Sequence, residues 1–205
     1  MINQDKNGLF ITIEGPNGVG KSTFINKLQS KLKNEYNVYT TKEPSNTPYG
    51  NYVKNNEGQL QGTAYAYLIC SDRCNHIENE IIPHLKQTDI VLSDRYIESS
   101  LVYQQFDGVA IDKIWQLNKD FLIPDISILL LADINIIEKR LAERDTLSDF
   151  ERRMSRKEEV NAYKDAQEFL TEKGFNCVQY LNNSYCDIET NTKDVYNIIN
   201  NLTTR

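Results

Sequence analysis

The stretch EGPNGVGKST, residues 14–23, fits G-x-x-x-x-G-K-[ST] with Gly15, Gly20, Lys21 and Ser22. It follows LFITIE, a short apolar and β-branched run that reads as a buried strand. It precedes a helical pattern from about Lys21 to Lys33. The order strand, glycine-rich loop, helix restricts the fold more than any other feature. The glycines let successive backbone N–H groups turn toward an anion, and the helix N-terminus adds partial positive charge. Gly15, Pro16, Asn17, Gly18, Val19, Gly20, Lys21, Ser22 and Thr23 are therefore candidates to hold a nucleoside triphosphate. Lys21 would reach the β- and γ-phosphates, and the Ser22 hydroxyl would ligate Mg2+.

Strand and helix patterns alternate along the rest of the chain. Strands are expected at 37–41, 89–94, 126–132 and 177–181. The all-apolar run 126–132 is expected to be central. Helices are expected at 62–86 (bent near Pro83), 96–105, 112–121, 134–144, 155–173 and 187–202, with a loop from Pro44 to Gly50. This alternation implies an α/β fold, a central parallel sheet of about five strands with helices on both faces. With no repeat or linker, residues 1–205 read as one domain, in which ligands bind beyond the carboxyl ends of the strands.

A net charge of −6 argues against general nucleic-acid or membrane-surface binding, which needs broad basic patches. The polar MINQDKNG start and the lack of a long apolar run suggest a cytoplasmic protein. The four cysteines, Cys70, Cys74, Cys177 and Cys186, are then expected as free thiols, with no CxxC pair to favour zinc.

At the end of the third strand stands DRYIESSLVYQ, residues 94–104. Asp94 suits a magnesium shell, and Arg95 suits a phosphate held by a planar fork. Ser100, Tyr103 and Gln104 can share one helix face, which suits a planar polar ring such as a nucleobase. A switch GTPase is disfavoured: LNKDF, 117–121, places its acid one residue too early for N-K-x-D.

These motifs together resemble the thymidylate kinase family, in particular its Gram-positive bacterial type. TKEPSNTPYG at 41–50 resembles the family's T-R-E-P-G-G-T-P-x-G, and LICSDRCNH at 68–76 its L-x-F-A-A-x-R-x-x-H. DRYIESSLVYQ is similar to D-R-Y-x-x-S-S-x-A-Y-Q, and PDISILL at 124–130 to P-D-L-T-x-x-L. The resemblance implies an ATP-dependent, Mg2+-dependent nucleoside monophosphate kinase that is homodimeric. It implies that Arg95 holds the acceptor phosphate, with Lys42 where the family has Arg. It places Arg73, Ser99, Ser100 and Gln104 on the pyrimidine, Tyr103 under the sugar, Glu43 facing the 3′-hydroxyl and Asp94 on the metal. With Val19 rather than Arg in the phosphate loop, a lid at about 142–156 should supply the cation, from among Arg144, Arg152 and Arg153.

The chain departs from the pattern on the acceptor side. Asn17 stands for an acid, Lys42 for Arg, Ser45-Asn46 for Gly-Gly, and Ile69 for the Phe that stacks on thymine. In the lid, D-R-[FI]-E becomes Ser148-Asp149-Phe150-Glu151. The donor residues are intact. Phosphoryl transfer is therefore expected, and the resemblance implies dTMP as its acceptor, with another pyrimidine or modified nucleotide, a nucleoside, or a non-catalytic binding role as alternatives.

Overall fold

Strand register explains where the functional residues meet. A computed structural model describes residues 7–87 and 89–203. The first six residues, which include most of the polar start, lie outside the described residues. Five parallel strands form one sheet: β1 (Leu9–Glu14), β2 (Val38–Lys42), β3 (Ile90–Asp94), β4 (Ile126–Leu131) and β5 (Cys177–Leu181). Their order is β2-β3-β1-β4-β5. β1 is thus the middle strand. β4 is interior but lies one place off centre, and all six of its residues are buried, as a strand covered on both faces must be. The edge strands β2 and β5 contain no fully buried stretch.

From β1 the chain runs outward to β2, fills the gap with β3, then crosses to β4 on the other side. That reversal opens a crevice at the carboxyl ends of β1 and β3. Ile13 pairs with Asp94, and Asp94 in turn pairs with Lys42, so three strand ends lie in one row.

The helices are α1 (Lys21–Leu32), α2 (Pro48–Asn55), α3 (Gly62–His76), α4 (Ile82–Leu85), α5 (Ile97–Phe106), α6 (Ile111–Asn118), α7 (Ile134–Ala142), α8 (Asp149–Arg153), α9 (Arg156–Glu172) and α10 (Tyr185–Thr203). Three differ from expectation, the first being α8, which forms between the expected helices 134–144 and 155–173 behind a Ser148–Glu151 capping box. Part of the expected loop at Pro44–Gly50 is the first turn of α2, where the Thr47 hydroxyl accepts from Gly50 N and Pro48 opens the helix. The long 62–86 pattern is broken by a π-helical segment at Ile77–Ile81, and Pro83 sits harmlessly in the first turn of α4.

Phe10, Ile11 and Ile13 of β1, Val91 and Leu92 of β3 and Phe24 and Leu28 of α1 join one core beneath the crevice. Each such side chain contributes about 1.5–3 kcal/mol on burial. No helix among the described residues is long and apolar enough to cross a membrane.

Candidate active site

The phosphate loop is held by close backbone packing. Gly15 has φ 138°, and a Cβ there would lie 2.2 Å from the Leu130 carbonyl oxygen of β4. Gly20 caps α1 at φ 99°, leaving the α1 amides free to face the crevice. Gly15, Pro16 and the fully buried Val19 frame the loop, whereas Asn17, Gly18, Gly20, Lys21, Ser22 and Thr23 wall an open cavity of about 460 Å³.

Lys21 folds back on the loop, donating to Gly15 O at 2.7 Å and Pro16 O at 3.0 Å. Burial, reinforced by neighbouring Arg95, pushes its pKa down to about 7. A polyphosphate in the cavity would restore the charge. Asp94 lines the same cavity, and its buried Oδ1 has no hydrogen-bond partner. An orphaned carboxylate oxygen sharing a cavity wall with the Ser22 hydroxyl is a hard-oxygen pair that fits Mg2+.

The wall contains more cations than expected. Lys42 is present, and so are Lys54 of α2 and Arg140 and Arg144 from the α7 end. Arg140 is anchored by donating to Val19 O at 3.0 Å and Asn182 O at 3.1 Å. Arg144 reaches Glu151 at 2.9 Å. Burial and then the charge of Lys42 lower the pKa of Lys54.

A second, deeper cavity of about 160 Å³ adjoins the first. α5 supplies Ser99, Ser100, Tyr103 and Gln104, the face expected from their spacing together with Ser99. α3 supplies Tyr65, Ile69 and Arg73, and the 142–156 segment supplies Ser148 and Phe150. The Ser100 hydroxyl is buried without a partner. Arg73 is committed to the protein: it donates to Glu43 at 2.8 Å, to Tyr96 O at 2.9 Å and to Asn118 Oδ1. Glu43 is therefore held between Arg73 and His76. Burial opposes its ionisation, but the Arg73 guanidinium and His76 together outweigh that and lower its pKa.

Arg95 lines both cavities, as do Asn17, Glu43 and Pro44. It stands at φ 76°, a backbone region that non-glycine residues seldom adopt. Its guanidinium is held by Asn17 Oδ1 at 2.6 Å, Tyr163 OH at 2.5 Å and Ser99 Oγ at 3.1 Å.

The expected lid arginines separate. Arg144 lines the phosphate cavity, whereas Arg153 lines neither cavity. Both terminal nitrogens of Arg153 donate to Asp107 Oδ1 at 3.0 Å, and its plane lies over Phe106 and Phe150. The charged run at 151–159 contains three buried residues, Met154 and the charged Arg156 and Glu159. Lys54 and the aromatic Phe150, which line the cavities, and Glu159, which hydrogen-bonds the cavity residues Asn17 and Tyr103, are residues that sequence reasoning did not single out. Phe150 had a signal in its likeness to the lid motif. Glu159 had none.

The chain matches the family model for thymidylate kinase over residues 13–191. A probable thymidylate kinase of Caldivirga maquilingensis is 38% identical over 149 residues, covering 70% of this chain and 73% of that protein. A probable thymidylate kinase of Thermococcus kodakarensis is 32% identical over 208 residues, covering 95% of this chain and 98% of its own. These relatives are archaeal, so they do not support the Gram-positive bacterial type. The solved thymidylate kinase of Ehrlichia chaffeensis has a TM-score of 0.70 at 25% identity, covering 94% of this chain and 99% of that one. That of Candida albicans shares the fold with a TM-score of 0.75 at 21% identity, covering 98% of this chain and 96% of its own. The chain belongs to the thymidylate kinase family of nucleoside monophosphate kinases.

Proposed function

We propose that this kinase transfers the γ-phosphoryl of ATP to dTMP, giving ADP and dTDP. The observation that carries the reading is Arg95, which lines both the phosphate-loop cavity and the deep cavity. A monophosphate on its guanidinium would stand between the two cavities, where its oxygen can face a γ-phosphate held by Lys21 and the α1 amides. The acceptor oxygen is already ionised, so alignment and charge neutralisation carry the rate. Lys42, Lys54 and Arg144, which line the same cavity, neutralise the phosphates. Ser22 and Asp94 would hold Mg2+, which would supply neutralisation of the charge developing on the phosphates.

The deep cavity takes the nucleoside. Ser100 and Gln104 meet the polar edge of the base, and Phe150 supplies an aromatic face where Ile69 does not. Closure of 142–156 excludes water and brings Arg144 onto the phosphates. Arg153 acts in this closure as a latch on Asp107. A second reading, an acceptor with a different pyrimidine, is favoured by Ile69, an aliphatic side chain of the cavity wall that has no π-face to stack on thymine. We place the enzyme in the cytoplasm as a homodimer, in line with its free cysteines and the family's habit.

The test is product identity. With γ-labelled ATP and dTMP, the label is expected in the β-phosphate of dTDP. Label released only as inorganic phosphate overturns the reading.

A further inference from the structure

Glu159 is the one acid that α9 sends into the wall of the phosphate loop. It is 1% exposed. Its Oε1 accepts from the Asn17 backbone N–H at 3.0 Å and from the Tyr103 hydroxyl at 2.8 Å. Its Oε2 accepts from Arg156 at 2.7 Å. Arg156 in turn donates to the backbone carbonyls of Glu151 (2.8 Å) and Met154, the trailing end of the lid. Asn17 answers on the other side: its Nδ2 donates to Tyr103 OH at 3.3 Å while its Oδ1 accepts from Arg95 at 2.6 Å.

This circuit dictates the charge of both partners. Tyr103 has one hydroxyl proton, and Glu159 takes it, so residue 17 must offer a donor to that oxygen. An amide does so; a carboxylate cannot, and it would face a second buried carboxylate across the same hydroxyl. The geometry points to Glu159 as a positioning residue for the acceptor phosphate, acting through Asn17 and Tyr103 on Arg95, with residues 17 and 159 a matched amide–carboxylate pair. Asn17, which departs from the family's acid, is then matched to a carboxylate 142 residues away, on the helix that follows residues 142–156. The inference rests on the proposed kinase reading.

A double-mutant cycle tests it, with N17D, E159Q and the pair N17D/E159Q. Thermal midpoints establish that each variant is folded. Acceptor affinity by calorimetry is read beside the KM and kcat of dTMP and the KM of ATP. Each single change is expected to raise the dTMP KM by about tenfold with the ATP KM within about twofold. The pair is expected to return to within about threefold of wild type, because a carboxylate then stands on one side of Tyr103 and an amide on the other. Additive losses in the pair, or losses shared equally by ATP, overturn the inference and leave the kinase reading intact. If the wild type binds dTMP without phosphorylating it, the kinase reading fails, and the same cycle on calorimetric affinity still decides the pairing. If the wild type neither binds nor phosphorylates dTMP, both are overturned.

Discussion

Arg73 donates its Nε–H to Glu43 Oε2 at 2.8 Å, and both side chains are buried below the deep cavity, 2% and 6% exposed. Two charges withdrawn from water persist there because each is paired and further hydrogen-bonded, Arg73 to Tyr96 O and Glu43 to His76. Removing one partner strands the other. Glu43→Gln is expected to cost about 3 kcal/mol of folding stability. It should also weaken dTMP binding, because Glu43 lines the cavity. Chemical denaturation beside the dTMP KM checks both effects.

His76 makes stability depend on pH. It is fully buried between Glu43, Thr41 and Glu80, with Asp72 near on its own helix. Burial opposes its protonation, but hydrogen bonding and charge from Glu43, then the charges of Glu80 and Asp72, raise its pKa above 6.5. The folded chain thus binds this proton more tightly than the unfolded chain. The contribution is present in full below about pH 6.5 and fades as pH rises through the higher folded value. Subtracting the stability–pH curve of His76→Gln from that of wild type should leave a difference that declines in that direction. A flat difference contradicts the assignment.

The lid arginines should behave differently. Arg144→Ala removes a cation from the phosphate cavity and is expected to lower kcat by about 10³-fold. Arg153→Ala breaks the Asp107 latch at the partly exposed lid, and should change kcat by less than about tenfold and stability by less than about 1 kcal/mol. Steady-state kinetics of the two variants, measured together, separates charge neutralisation from lid anchoring.

Aromatic cover of the base should come from the lid. The Phe150 ring lies 4.7 Å from that of Tyr103 at the cavity wall. Phe150→Ala is expected to raise the dTMP KM by about 10-fold or more, the worth of one lost stacking face. Ile69→Phe should lower that KM. An unchanged KM in both variants would count against stacking as a determinant.

Much of this was legible in the chain because the signals are local. The phosphate loop needs its glycines within one turn, and the α5 face needs only three- and four-residue spacing. The start of α2 was also written locally, in Thr47 before Pro48, but Pro and Gly there read equally well as a turn. Other features depend on long-range packing. The run from Glu151 to Glu159 was expected in the lid, but which of its charges are buried depends on α9 packing beside α5, where Arg156 and Glu159 are buried. The π segment at Ile77–Ile81 carries no composition cue, and it presents Glu80 to Thr41 and Tyr39.

The metal assignment predicts that Asp94→Asn lowers kcat by about 10²-fold and raises the Mg2+ concentration for half-maximal rate, since the orphaned Oδ1 is the oxygen offered to the ion. A Mg2+ titration of the variant against wild type reads both quantities.

The central claim is that two adjoining cavities joined at Arg95 form one phosphoryl-transfer site for a pyrimidine monophosphate. Its most direct measurement is acceptor-dependent ADP release with Mg2+ and ATP, comparing dTMP, dUMP, UMP, dCMP, CMP, AMP, GMP, thymidine and water alone. A clear preference for dTMP, lost in Arg95→Ala, is the predicted result. ADP release no faster with any nucleotide than with water would contradict it.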